Sequence, residues 1–212
     1  MNSENNFDAV IFDLDGTLWS AIETCKKSIK FMEEKYSDIT KHITEEDIRN
    51  SMGKNLEQIA DFYYGYLPKE KANSYTKERI NKNIEFLQEQ GGVLYPNTKQ
   101  TIINLSKKYK LYIVSNCMPG YIEAFLNTSG LKNYFADYEN SGRTGLSKGE
   151  NIRLVIERNN IKNAIYVGDT MSDKNAAVLA DVPFAYASYG FGQVDEFDYA
   201  INDISELNKI LG

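Results

Sequence analysis

Residues 8–17 read Asp8-Ala9-Val10-Ile11-Phe12-Asp13-Leu14-Asp15-Gly16-Thr17, an apolar run that stops abruptly in two acids and a glycine. A short apolar run bounded by polar turn residues is the pattern of a strand buried on both faces. The pattern recurs at 111–115 (Leu-Tyr-Ile-Val-Ser) and 164–168 (Ala-Ile-Tyr-Val-Gly), with a further candidate at 182–187 (Val-Pro-Phe-Ala-Tyr-Ala). Between these runs lie helical patterns: Ile102, Ile103 and Leu105 before Lys107-Lys108, then Ile122, Phe125 and Leu126 closed by Gly130. A glycine after the last periodic residue is a common helix stop. Strands alternating with helices predict an α/β fold, a doubly wound parallel sheet whose ligand site lies outside the carboxyl ends of the strands. The polar ends of the first three runs would converge there.

The stretch 18–92 is different, with helical periodicity and almost no strand signal. Ile22, Cys25, Ile29, Met32 and Tyr36 form one stripe, and Leu56, Ile59, Ala60 and Tyr63 another. Thr44-Glu45-Glu46-Asp47 has the form of a capping box, and Asn55 is placed to cap the next helix. An all-helical insertion over 18–92 is therefore expected within a sheet domain made of 1–17 and 93–212. Gly91-Gly92, followed by Val93-Leu94-Tyr95-Pro96, supplies the flexible return.

The 212 residues suit one compact domain or a medium domain carrying a smaller insertion. With 42% hydrophobic and 25% charged residues, the composition is that of a globular protein. A formal charge of −6 argues against general nucleic-acid affinity, which needs a basic face. It leaves room for a small anionic substrate, provided a bound cation and local donors reverse the potential inside one pocket. Cys25 and Cys117 have no metal-ligand spacing, so neither zinc nor a disulfide framework is expected and a reducing cytoplasm fits. The N-terminal MNSENNFDAV lacks a basic stretch and apolar core, and no window is apolar enough to span a membrane.

Asp13 and Asp15, two apart in a tight turn made possible by Gly16, can approach one ligand and form a metal and phosphate site. If Asp15 binds metal only through its main-chain oxygen, its carboxyl is free to carry a proton. The structural alternative is a pair of helix-capping acids. Gly168-Asp169-Thr170-Met171-Ser172-Asp173 is a second acidic strand end, with Asp169 the better ligand for a hard cation such as magnesium. Asp173 by itself reads as a helix-start acid. Ser115 and Asn116 can donate to phosphate oxygens or serve an ordinary turn. Lys148, beside a Ser147-to-Glu150 capping box, can neutralise a carboxylate and a phosphate or simply lie exposed.

Taken together, these residues resemble the haloacid dehalogenase superfamily, in the phosphatase branch with a helical cap after the first motif and phosphoglycolate phosphatase as a representative. The resemblance rests on D-L-D-G-T at 13–17, V-S-N at 114–116, Lys148 in G-L-S-K-G-E-N, and G-D-T-M-S-D at 168–173. It implies a magnesium-dependent hydrolysis of a small phosphate monoester in which Asp13 attacks phosphorus to form an aspartyl-phosphate. Asp15 would act as acid and then base, positioned with help from Thr17. Magnesium would be held by Asp13, the Asp15 carbonyl and Asp169, with Asp173 steadying its water shell, and Ser115, Asn116 and Lys148 would hold the phosphoryl group. The resemblance also covers phosphosugar mutases, pyrophosphatases, nucleotidases and metal-free dehalogenases. The acids at 15 and 169 favour phosphate chemistry, and Trp19-Ser20-Ala21-Ile22 lacks the histidine that sugar mutases of this family carry at the cap hinge. An aspartate-phosphorylated signalling module is a different class, disfavoured by Asp15 and the long cap.

The loop from Ser51 to Asn55 is placed to cover the site, with Lys54 either recognising a second anionic group or lying solvated. His42 lies within the insertion and away from the strand ends. Gly190-Phe191-Gly192 reads as a loop, because the full glycine fingerprint of a dinucleotide site is absent. Cys117 reads as a small packing residue.

Overall fold

A computed structural model describes residues 7–211; residues 1–6, which open the stretch expected to carry no targeting signal, and residue 212 lie outside the described residues. The chain runs from β1 (Ala9–Phe12) through β2 (Trp19–Ser20) into α1 (Ile22–Lys35), α2 (Glu45–Ser51), α3 (Leu56–Tyr64) and α4 (Lys69–Gln90), and returns through β3 (Val93–Leu94). There follow α5 (Thr98–Leu105), β4 (Lys110–Ser115), α6 (Tyr121–Ser129), β5 (Phe135–Asn140), α7 (Ser141–Thr144) and α8 (Lys148–Arg158). The last elements are β6 (Ala164–Gly168), α9 (Met171–Ala180), β7 (Phe184–Ala187), β8 (Tyr199–Ile201) and α10 (Leu207–Ile210). Among the described residues, no helix is long and apolar enough to cross a membrane.

Six strands form one sheet in the order β5-β4-β1-β6-β7-β8, each pairing parallel to its neighbours. The chain builds outward from β1 on one side and then crosses to build outward on the other, so β1 sits where the winding reverses. Phe12 is in register with Ile113 on one flank and Val167 on the other. The segments that follow these three strands therefore emerge side by side. Alternate residues feed two cores: Val10, Phe12, Ile113 and Val167 pack with Ile102 and Phe125, whereas Ile11, Tyr112, Val114 and Tyr166 pack with Ile152 and Ala177.

The strand expected at 182–187 begins only at Phe184. Pro183 has no N–H to give to a ladder, although its carbonyl accepts from the Tyr166 amide at 2.9 Å. β5 and β8 lie on sheet edges and lack a strand signal in the sequence, because β5 is broken by charged and polar residues and β8 is only three residues long.

In the helical stretch, Thr44 and Asp47 close a capping box on α2, and Asn55 and Gln58 close one on α3. The α1 stripe from Ile22 to Met32 is buried. α4 breaks the apolar rule: its buried face includes Thr76, Arg79 and Asn83 beside Ala72, Tyr75, Ile84 and Leu87. The outgoing and returning chains pair as an antiparallel ribbon, Trp19 against Leu94 and Ser20 against Val93. Trp19 anchors this ribbon edge-on to Tyr121 and Phe125 of α6, at centroid distances of 5.8 and 5.2 Å.

Edge strand β5 is held by charge. The buried Glu139 carboxylate accepts from Arg143 Nε at 2.7 Å, Arg158 Nη1 at 2.6 Å and the Asn140 amide at 3.0 Å. Burial raises its pKa, but the Arg143 hydrogen bond, the Asn140 amide and Arg158 outweigh it and hold the group down at about 2. A carboxylate depressed below its ordinary 4.5 contributes stability above that value and loses it as pH falls toward the folded value. Because Arg143 is partly solvated, Glu139→Gln is expected to cost about 2 kcal/mol at neutral pH. Denaturant titrations from pH 7 down to pH 3 should show that deficit shrinking below about pH 4.5; a deficit constant with pH would assign it to packing instead of charge.

Candidate active site

Asp13 follows β1 directly, its amide donating to the Val167 carbonyl at 2.8 Å, so the sheet ladder itself aims this residue. The chain then turns sharply, with the Leu14 carbonyl accepting from the Leu18 amide at 2.9 Å and the Gly16 amide donating to the Trp19 carbonyl at 2.9 Å. Gly16 has φ +84°, and a Cβ there would fall 2.0 Å from Asp169 Oδ2. Only glycine allows this turn to lie against the carboxylate that follows β6.

Asp13, Asp169 and Asp173 are all buried and each offers a carboxylate oxygen, the three lying within 4.8 Å of one another. Lys148, the first residue of α8, brings its ammonium to 3.0 Å from Asp13 Oδ1 and 2.6 Å from Asp173 Oδ1. Burial opposes the charge on Lys148, but these carboxylates outweigh it and raise its pKa. Burial pushes Asp13 up to about 6, partly offset by Lys148, and lifts Asp169 well above the usual carboxylate range with Asp173 and Asp13 adding to the effect. Asp15 is pushed up to about 7, again by burial, with a hydrogen bond from Tyr121 offsetting part of it.

The oxygen donors divide into two kinds. Asp173 is fully engaged: Oδ1 accepts from Lys148 and from the Tyr166 hydroxyl at 3.3 Å, and Oδ2 accepts from the Thr170 amide at 2.9 Å and hydroxyl at 2.6 Å. It is both the α9 capping residue expected of a helix-start acid and a partner of Lys148. Asp169 has one engaged oxygen, Oδ2, which accepts from the Phe191 amide at 2.7 Å, while Oδ1 has no hydrogen-bond partner in the protein. Asp15 Oδ1 and the fully buried Thr17 hydroxyl are likewise unpartnered. A buried, unpaired Asp169 oxygen beside the Asp13 and Asp173 carboxylates suits a hard divalent cation.

Ser115 ends β4 and is buried, lining the same cavity of about 860 Å³ as Asp13, Asp15, Asn116 and Lys148. Asn116 is more committed than its sequence position implied. Its Nδ2 donates to the Gly53 carbonyl at 3.0 Å, and its Oδ1 accepts from the Ser141 hydroxyl at 2.9 Å. It thus ties the α2–α3 loop to the end of β4. Lys54 lines the cavity from that loop, its Nζ 5.7 Å from the centre of the Phe62 ring. His42 is exposed beside Glu33, away from the cavity.

Residues 10–187, most of the chain and all four motifs, match the haloacid dehalogenase-like hydrolases. The chain belongs to this family. Solved structures agree on the fold of the haloacid dehalogenase-like hydrolases. One is a haloacid dehalogenase-like hydrolase from Streptococcus pneumoniae, 19% identical, with a TM-score of 0.85 over 97% of this chain and 99% of that one. A predicted phosphoglycolate phosphatase from Haemophilus somnus is 20% identical, with a TM-score of 0.84 over 97% and 98%. A magnesium-bound HAD-hydrolase from Bacillus subtilis is 19% identical, with a TM-score of 0.74 over 97% and 98%. No match was found among curated protein sequences.

Five residues of the site escaped the sequence. Tyr121 lies on α6, where it reads as one more apolar position. The Phe191 amide and Gly190 pack on Asp169, a Cβ at Gly190 falling 2.3 Å from Asp169 Cβ; the G-F-G spelling was visible, but its use as a backbone cradle for a carboxylate was not. Arg79 and Asn83 line the cavity from α4, far from any motif.

Lys148 is the one cation paired with this acid cluster among the described residues. Lys148→Met should cost roughly 3 kcal/mol, because breaking a buried pair strands its partners. Adding Asp13→Asn to Lys148→Met should recover part of that loss in denaturant titration, since one stranded charge is removed. Strictly additive losses would show that Lys148 does not neutralise Asp13.

Proposed function

We propose that the protein is a magnesium-dependent phosphatase of small phosphorylated metabolites, acting through an aspartyl-phosphate on Asp13. The observation that carries this reading is Asp13 at the end of the central strand, buried beside Lys148 and Asp169, with Asp15 two residues on and unpaired on one oxygen. The free Asp169 oxygen and the oxygen-only donor set fit magnesium, which Asp13, Asp169 and the Asp15 main-chain carbonyl would hold. When bound, the ion supplies positive charge to the phosphoryl oxygens. Asp173, saturated by Lys148, Tyr166 and Thr170, positions the ammonium and orders the surroundings of the metal.

In the first step an Asp13 oxygen forms a bond to phosphorus as the ester P–O bond breaks, and the leaving oxygen takes the Asp15 proton. Water then attacks phosphorus, Asp15 takes a proton from it, and the Asp13–phosphorus bond breaks to release inorganic phosphate. A carboxyl held near neutrality by burial can serve in both directions. Thr17 helps to position Asp15, while Ser115, the remaining Asn116 N–H and Lys148 hold the phosphoryl oxygens. The helical stretch 18–92 acts as a cap over the sheet domain of 1–17 and 93–212, and its Lys54 lines the cavity, where it can meet a second anionic group of the substrate. A reducing cytoplasm suits the two free cysteines.

Asp13→Asn is expected to lower phosphate release from phosphoglycolate or 4-nitrophenyl phosphate by about a thousandfold or more while the protein stays folded. Near-normal turnover in a pure preparation would remove the covalent step. Magnesium should raise the melting midpoint of the wild type and do so far less for Asp169→Asn. Equal shifts would place the ion elsewhere.

A further inference from the structure

α4 carries a buried polar pair that no other part of the helical stretch explains. Arg79 is 4% exposed and Asn83 is 3% exposed, one turn apart on the same face, and both line the cavity that contains Asp13 and Asp15. Among the described residues no carboxylate pairs with Arg79, and its Nε has no hydrogen-bond partner. Asn83 Oδ1 is also unpartnered. A buried guanidinium without a counter-charge costs several kcal/mol, so an arginine placed here implies an anion that arrives from outside.

The surroundings narrow what that anion is. The guanidinium lies 5.1 Å from the centre of the Tyr63 ring, and the Tyr63 hydroxyl is fixed by Ser51 at 2.7 Å, so the fork rests on a rigid support. Cys25, which both Arg79 and Asn83 reach, stays a neutral thiol because burial pushes it up to about 11. Cys25, Arg79 and Asn83 line the same cavity as Asp15, the acid that serves the leaving group. Glu57 at the mouth is already paired with Lys69 at 2.8 Å. The deep roof therefore offers one permanent positive charge, a planar fork, and an amide oxygen that needs a donor. One charge and a fork match a carboxylate; a second phosphate carries close to two charges near neutral pH. The amide oxygen calls for a hydroxyl or amino hydrogen beside that carboxylate.

On the reading that this site hydrolyses phosphate monoesters, we infer that Arg79 and Asn83 form its leaving-group subsite, and that the substrate is a small phosphorylated carboxylic acid bearing a hydroxyl or amino donor next to its carboxylate. Arg79 holds the carboxylate, Asn83 accepts from the neighbouring donor, and the phosphoryl group reaches Asp13 at the opposite wall. Lys54 and Lys77, half-buried and exposed respectively, line the same cavity but keep more contact with solvent than the buried Arg79 and Asn83, so the desolvated charge there is the guanidinium.

The test compares catalytic efficiency on 3-phosphoglycerate, phosphoglycolate, ethyl phosphate and ethanediol bisphosphate for wild type, Arg79→Met, Arg79→Lys and Asn83→Leu. The wild type should favour the two acids over ethyl phosphate, and Arg79→Met should reduce that preference by at least about tenfold. Arg79→Lys, which keeps charge and stem but loses the fork, should reduce it less and serves if the methionine variant does not fold. Asn83→Leu should lower the preference for 3-phosphoglycerate over phosphoglycolate. Equal losses on acid and ethyl esters overturn the subsite, and a preference for the bisphosphate overturns the carboxylate.

Binding separates this inference from the proposed activity. Calorimetry with 3-phosphonopropionate and propylphosphonate, in magnesium, should show tighter binding of the carboxylate in the wild type and near-equal binding in Arg79→Met. Discrimination without hydrolysis of any ester would refute the phosphatase reading and leave the subsite standing. Hydrolysis without discrimination would do the reverse.

Discussion

The rest of the site depends on one constraint: Lys148 is a single ammonium set among buried carboxylates that outnumber it. Removing each ion from water costs several kcal/mol, and one cation cannot repay that cost for Asp13, Asp169 and Asp173 together. The excess negative charge must be relieved by taking up protons or by binding a cation. The raised pKa values of Asp13 and Asp169 are the first response, and the unpartnered Asp169 oxygen leaves a place for the second. Keeping like charges this close also requires that little else occupy the space. Glycines therefore surround the cluster, since a Cβ at Gly16 would fall 2.0 Å from Asp169 Oδ2 and one at Gly168 would fall 2.5 Å from Asp173 Cβ.

This explains which parts of the molecule were legible. Residues 13–17, 115, 148 and 169–173 sit at strand ends or helix starts, where the chemistry and the backbone requirement fall on adjacent letters, so that the acid, the glycine and the apolar strand appear as one word. The three strands that aim them are continuous apolar runs because both faces are covered. Edge strands β5 and β8 lack that signature, and β5 owes its place in part to the Glu139 ion pairs that no periodicity reveals. Asn116 was read as a phosphate donor, but one of its N–H groups is spent on Gly53, a partner 63 residues away that no local pattern could supply.

The roof was hardest to read, for a related reason. A helix is recognised by its apolar stripe, and α4 interrupts its own stripe with Thr76, Arg79 and Asn83. In sequence these polar letters look like a solvated face; in the structure they are buried against Cys25 and Tyr63. A local pattern that disagrees with its burial is expected where function is taken at the expense of stability. Breaking the stripe weakens the helix packing that a leucine would supply, and it gains a buried donor fork on the cavity wall.

The floor and roof of the cleft thus follow different rules. The floor is built from strand ends and glycines, tightly specified because a Cβ at Gly16, Gly168 or Gly190 would strike the carboxylates. The roof is built from side chains on helices, where a substitution changes the cavity lining without altering the strands. The two meet at Asn116, whose amide holds the Gly53 carbonyl of the roof loop while its carbonyl is held by Ser141 of the floor. That amide carries a second N–H, which on the proposed function serves a phosphoryl oxygen. Asn116 is thus pinned on both sides. The position of the roof loop and the orientation of the amide at the end of β4 are therefore set by one side chain, which couples the two sides of the cavity.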